Sequence, residues 1–278
     1  MALTAQAKPP LVRGQLKVRQ NVSELSVDDL NRYRAAVKGL MDRRDNLGYQ
    51  WFAGWHGVPF GLCKHLDPYF PPWHRAYLYH FELALQRIDD SVTVPWWDWM
   101  NEPGIPAAFQ EGGGNVLAGA PIEPYGVAPR PGWPTETVRN PGFDPPGPDP
   151  APLAPPYNQY DLPGDLNYEE WILSAPSYTE FQRRLEALHG TVHVWTGGTM
   201  RDPEWAAYDP IFWSHHAQVD RLWRVWQHHH GGANPPAAIL DRAMSIPQEP
   251  VFTPREVLDV KELGYEYAGF TSSTPGTL

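Results

Sequence analysis

Residues 55–82 read WHGVPFGLCKHLDPYFPPWHRAYLYHFE. His56, His65 and His74 fall there at two equal steps of nine, and Cys63, the only cysteine of the chain, stands two residues before the middle one. Imidazole is a borderline-soft neutral donor suited to copper, zinc, nickel or iron. Three histidines converging without a carboxylate would leave one ion with open coordination positions. Downstream, His189, His193 and His216 offer a second trio. His189 and His193 lie one helical turn apart, so both rings project from one face.

Working outward, the pattern around both trios is helical. Ser26 is placed to cap a helix starting at Val27, with Asp28 and Asp29 in its first turn. Tyr49, Phe52 and His56 share a face of a second helix that Gly57 and Pro59 end. Residues 57–72 read as a loop, and a third helix is expected from Trp73, with His74, Leu78, Phe81, Leu85 and Ile88 in one stripe. Ser177 to Glu180 forms a capping box for the helix bearing His189 and His193. Asp209 as cap and Pro210 at the first position open the next, where Phe212, His216, Val219, Trp223 and Trp226 repeat at helical spacing. One or two short strands are expected around residues 250–260 and 263–270. Histidines projecting inward from facing helices make an antiparallel four-helix bundle with its site in the core, so the fold class is mainly α with long irregular loops.

Between the trios, residues 101–165 hold 16 of the 32 prolines and ten glycines, a composition that supports neither a helix nor a central strand. The segment reads as an insertion wrapped on the surface and shaping the pocket rim, within a single domain spanning residues 1–278. Asp98, among tryptophans, reads as a structural hydrogen-bond acceptor.

Composition narrows the partners. Lys+Arg 22 against Asp+Glu 32 gives a net charge of −10, which argues against nucleic acid and anionic membrane. One cysteine rules out a disulfide framework. No apolar stretch reads as a signal peptide or a membrane span, so the expectation is a soluble protein, cytoplasmic or exported with a partner.

Two longer motifs frame the histidines. His65 through Glu82 reads H-x4-F-P-x-W-H-R-x2-L-x3-E, and Asp209 through Asp220 reads D-P-x-F-W-x2-H-x3-D. These strings resemble the copper A and copper B signatures of the tyrosinase family, the type 3 copper proteins that include catechol oxidases, o-aminophenol oxidases and molluscan haemocyanins. VPWWDW (94–99), LHGTVHVWTGG (188–198) and LGYEY (263–267) resemble further family segments in the same order. The resemblance runs from about Arg19 to Tyr267, apart from the proline-rich insertion.

The resemblance implies two copper ions, one held by His56, His65 and His74 and the other by His189, His193 and His216, with dioxygen as co-substrate. His215 is left as a neighbour, His80 as an ordinary helix residue, and His228–His230 at a helix C-terminus, where partial negative charge favours them. It also implies a thioether between Cys63 and His65, as some members carry. Glu186, one turn before His189, is the candidate for a catalytic glutamate. Gly190 stands where monophenol-hydroxylating members carry an asparagine, and Val194 is expected to touch the substrate ring. The expected activity is oxidation of o-diphenols or o-aminophenols, small phenolic substrates, with monophenol hydroxylation weak or absent. Alternatives are a full tyrosinase, a haemocyanin-like dioxygen carrier and, more remotely, a zinc hydrolase. Only eleven residues follow Tyr267, so no covering domain is expected, and relatives of that kind use a separate copper-loading partner.

Overall fold

A computed structural model of the chain describes residues 16–102, 104–110, 112–142, 167–232 and 234–269. Four helices bear the histidines or flank them: α2 (Tyr49–His56), α3 (Phe70–Gln86), α5 (Tyr178–Thr196) and α6 (Ile211–His229). α1 (Val27–Met41) packs outside α2 and α3, while α4 (Tyr168–Leu173) and α7 (Ala237–Leu240) are short. The mainly helical architecture expected from the sequence is the one observed.

Local chemistry sets the helix ends. The Ser26 hydroxyl accepts from the Asp29 amide at 3.1 Å, and α1 buries Tyr33, Ala36, Val37 and Leu40. α2 stops at Gly57, where a Cβ would meet the Glu204 carbonyl oxygen at 2.1 Å, so only glycine allows this approach. α3 begins at Phe70 rather than at Trp73, because Pro71 and Pro72 occupy its first turn, where no amide donor is needed. Ile88 therefore lies past the helix end, 42% exposed, outside the buried stripe. Ser177 caps α5 by accepting from the Glu180 amide, but the Glu180 carboxylate turns to Arg183 and Arg184 instead of closing the box. Those two partners hold its pKa down to about 2. α6 starts at Ile211, one residue later than expected, with Asp209 Oδ1 accepting from the Ile211 amide at 3.1 Å.

Aromatic contacts lock the bundle. Trp55 of α2 stacks on Tyr77 of α3, whose hydroxyl donates to the Phe52 carbonyl at 2.6 Å. Phe81 of α3 lies flat on Trp213 of α6, centroids 3.6 Å apart, and Phe181 of α5 lies flat on Trp226 of α6. Stacked and edge-on pairs of this kind add about 0.5–1.5 kcal/mol each beyond the area they bury.

A small parallel ladder joins distant parts of the chain. β1 (Lys17–Arg19) pairs with β2 (Tyr265–Tyr267), Lys17 opposite Tyr265 and Arg19 opposite Tyr267. From β1, the fully buried Arg19 donates to Glu82 of α3 at 2.9 Å and to Asp220 of α6 at 3.1 Å. Both tyrosine hydroxyls of β2 donate to Asp220 at 2.6 Å, and Arg75 of α3 reaches its other oxygen at 2.5 Å. Burial pushes the Asp220 carboxyl upward, but the Arg75 and Arg19 guanidiniums outweigh it and hold the group below its usual range. Two cations and two carboxylates thus balance in the core. The expected strand around residues 250–260 is instead a 3-10 turn, Pro254–Val257, since Thr253 and Glu256 cap each other's ends.

The described part of the insertion is irregular apart from a 3-10 turn, Ala107–Phe109, and a bridge between Pro121 and Glu136. It is more than a surface wrap, burying Phe109, Leu117 and Ile122. Residues 138–140 press against the end of α5 so closely that a Cβ at Gly198 would lie 1.9 Å from the Val138 carbonyl oxygen. Arg139 pairs with Asp209 at 2.9 Å. None of its described residues lines the cavity over the histidines, which corrects the expected rim role for that part. Residues 143–165 lie outside the described residues, as do residues 1–15. Asp98 accepts from Asn101 at 3.0 Å and from Gln218 at 3.3 Å, as a structural acceptor should. Among the described residues no helix is long and apolar enough to cross a membrane.

Candidate metal centre

The bundle brings His56, His65, His74, His189, His193 and His216 into one cluster. His56 comes from the last turn of α2, His65 from the loop before α3, and His74 from the first turns of α3. α5 carries His189 and His193, and α6 carries His216. Ring centroids are 5.4 Å apart for His56 and His65, 5.6 Å for His65 and His74, 4.5 Å for His189 and His193, and 4.9 Å for His189 and His216. His74 and His216 stack across the centre at 4.6 Å and 12°. All are buried except His65, which is half-buried.

Backbone carbonyls fix three of the rings. His56 Nδ1 donates to the Pro203 carbonyl at 3.0 Å, His74 Nδ1 to Phe70 at 2.8 Å, and His193 Nδ1 to Met200 at 2.8 Å. A carbonyl can only accept, so each ring keeps its proton on Nδ1 and presents a bare Nε2 lone pair to the centre. Nε2 of His56, His65 and His74 has no hydrogen-bond partner among the described residues, nor does either nitrogen of His189. His193 Nε2 faces His216 Nε2 at 3.3 Å. Buried polar atoms left unpaired are costly, and a set of inward lone pairs without a carboxylate is the donor set that suits copper.

Burial, reinforced by neighbouring imidazoles, drives the pKa values of His56, His74, His189 and His216 well below the ordinary 6.5. Burial takes His193 down to about 4. The rings are therefore neutral, the form that binds a metal.

Above the cluster a cavity of about 510 Å³ opens to solvent. His56, His65, His189 and His193 form its floor, and Gly190, Val194 and Glu186 are on its wall. Among the described residues, apart from its two neighbours and the backbone of its own helix, no atom lies within 4 Å of the place a Cβ on Gly190 would take. Glu186 is buried, which raises its pKa, although the amide of Leu66 donates to one oxygen at 2.5 Å and Gln182 to the other. Cys63 is a free thiol whose sulfur lies 3.8 Å from His65 Nδ1, and burial pushes its pKa up.

The sequence reading left His215 as a neighbour. The structure places its ring in the same group as His189, His193 and His216, stacked on His189 at 5.1 Å and 11° with Trp99 on another side. Consecutive helix residues diverge by about 100°, so adjacency to His216 alone gave no signal for this; it arises because both sides of α6 are covered here. The carbonyls of Pro203 and Met200 carry no side-chain signal. His80, on α3, and His230, just past the end of α6, are bonded to the Pro250 and Leu173 carbonyls.

Comparison with known proteins accords with this geometry. Residues 46–229 match the family model described as the common central domain of tyrosinase. The tyrosinase of Streptomyces glaucescens is 33% identical over 246 residues, covering 78% of this chain and 85% of that protein. Hemocyanin units G and H of Sepia officinalis are 28% identical over 228 residues, covering 76% of this chain, which spans only 37% of that protein. A functional unit of octopus hemocyanin superposes with a TM-score of 0.74 at 25% identity, covering 91% of this chain and 68% of that one. The chain belongs to the tyrosinase family, whose members bind two copper ions through histidines and use dioxygen.

Proposed function

We propose that the protein is an oxidase that uses dioxygen to convert o-diphenols or o-aminophenols into o-quinones or o-quinone imines, with monophenol hydroxylation weak or absent. His56, His65 and His74 hold one copper, and His189, His193 and His216 the other. When bound, the pair supplies the one-electron steps that carry two electrons from substrate to dioxygen. The chain orients the ring and limits water. The observation that carries this reading is the open cavity of about 510 Å³ standing directly on the imidazoles, of a size to take a small aromatic ring.

The restriction to ortho-substituted substrates rests on Gly190. Gly190 offers no acceptor beside His189. The two oxygens of Glu186 accept from the Leu66 amide and from Gln182, so the carboxylate also pins the loop that carries His65. Val194, exposed on the same wall, contacts the ring.

We infer a thioether between Cys63 and the His65 ring, a reading supported by the 3.8 Å approach of the sulfur to His65 Nδ1. The S–C bond forms as the thiol and ring hydrogens leave as two protons and two electrons, which dioxygen accepts. Digestion of copper-loaded, aerated protein should give a peptide containing both residues two hydrogens lighter than its sequence mass, and an unchanged mass would remove the crosslink.

Oxygen consumption with 4-methylcatechol, 2-aminophenol and tyramine tests the main reading. Quinone or quinone imine should form from the first two. Rapid tyramine turnover without a lag would overturn the restriction. Reversible oxygen uptake with no product from any substrate would favour a dioxygen carrier, the reading that the hemocyanin relatives support.

A further inference from the structure

The backbone from Met200 to Pro203 spans the centre. Its Met200 carbonyl accepts from His193 and its Pro203 carbonyl from His56, so a histidine from α5 and one from α2 both hold this short segment. Arg201 lies between these anchors, ends a 3-10 turn (Gly198–Arg201), and lines the cavity at its exposed edge. Its guanidinium finds no acceptor among the described residues. Arg183 lines the same cavity, but Glu180 already neutralises it at 2.8 Å. Among the described residues the one acid on the wall is Glu186, which is buried and bonded to Leu66 and Gln182.

A guanidinium at the mouth with no acceptor among the described residues stands out in a chain of net charge −10, whose general field repels anions. Its backbone is fixed, so only the side chain pays entropy on pairing. Guanidinium suits a carboxylate because its donor fork matches the two oxygens. In the oxidase reading a ring enters with its ortho groups toward the imidazole nitrogens, which leaves its opposite end on the solvent side of the cavity, the side that the exposed Arg201 lines.

We propose that Arg201 is a specificity-determining residue that favours phenolic substrates carrying a carboxylate at the end of the ring remote from the ortho pair. The inference rests on the oxidase reading for its substrate class. Arg183 contributes less, because its charge is shared with Glu180.

The test pairs 3,4-dihydroxyphenylacetate with its methyl ester, alike in shape and different in charge, on copper-loaded wild-type, R201Q, R201K and R183Q proteins. The acid-to-ester ratio of kcat/KM should fall about five-fold in R201Q, an effect typical of a partly exposed charge pair, and the loss should appear in KM for the acid. R201K should keep part of the ratio, and salt should reduce the wild-type ratio. A second readout needs no copper: 4-hydroxyphenylacetate should quench tryptophan fluorescence of metal-free wild-type protein at lower concentration than its methyl ester does, and R201Q should lose the difference. Equal ratios in wild type and R201Q in both assays would overturn the proposal, as would a loss confined to R183Q. If neither catechol is turned over, the oxidase reading fails, and the fluorescence titration decides the role of Arg201 on its own.

Discussion

Gly190 sits within α5 with open space where a side chain would go, so it costs helix stability without relieving a clash. Gly190→Asn should be accommodated and raise stability by a few tenths of a kcal/mol, about the difference in helix propensity. It should also raise tyramine hydroxylation relative to 4-methylcatechol oxidation, since the amide restores an acceptor beside His189. An unchanged ratio of the two rates would show that Gly190 does not set it. Glu186→Gln should cost about 1–3 kcal/mol, because an amide cannot accept from both Leu66 and Gln182. Urea unfolding of the metal-free protein measures that cost. At this scale the sequence disclosed the six histidines, since their spacing and flanking motifs are carried by side chains. The anchors that orient them were not legible, because the Pro203, Phe70 and Met200 carbonyls are backbone atoms. Arg201 was also unreadable, since nothing local says that residue 201 returns to the mouth above His56.

Among the elements, α3 and α6 depend on each other through Arg75 and Asp220, both buried. Removing one partner of such a pair strands the other charge, at about 3–5 kcal/mol. Arg75→Met should lower the urea midpoint accordingly, while the pair Arg75→Met with Asp220→Asn should lose less than the sum of the single changes. Additive losses would argue that the two residues act separately. The helices themselves are legible from period and caps, and each departure from that reading has its own physical reason. The start of α3 was put at Trp73 because a loop rich in proline looks unable to join a helix, although prolines 71 and 72 fall where a helix tolerates them. Likewise, Glu180 satisfies the capping pattern by sequence, yet two nearby arginines compete for it in space. Whether a short apolar stretch near residues 250–260 becomes strand or turn depends on a pairing partner, which local sequence does not provide.

For the molecule as a whole, the buried imidazoles make stability depend on pH. The folded pKa values lie below 6.5, so as pH falls the unfolded chain takes up protons before the folded one does. Stability is therefore full above the unfolded value and declines as pH drops from about 6.5 toward about 4, where His193 titrates in the fold. Each buried ring contributes up to about 1.4 kcal/mol per pH unit in that window. Metal-free protein should show a nearly level unfolding free energy above about pH 7.5 and a steep fall below 6.5. A level profile from pH 7 to pH 5 would contradict neutral, buried rings. The ladder between β1 and β2 has a further consequence, for the order in which the molecule assembles. Arg19 must find Asp220 across most of the chain before the helix bearing His216 is held from beneath. Closing so large a loop is slow compared with local helix formation. In refolding, far-ultraviolet ellipticity should thus recover before the protein can capture metal tightly, giving a time lag in which helices exist and a finished binding centre does not.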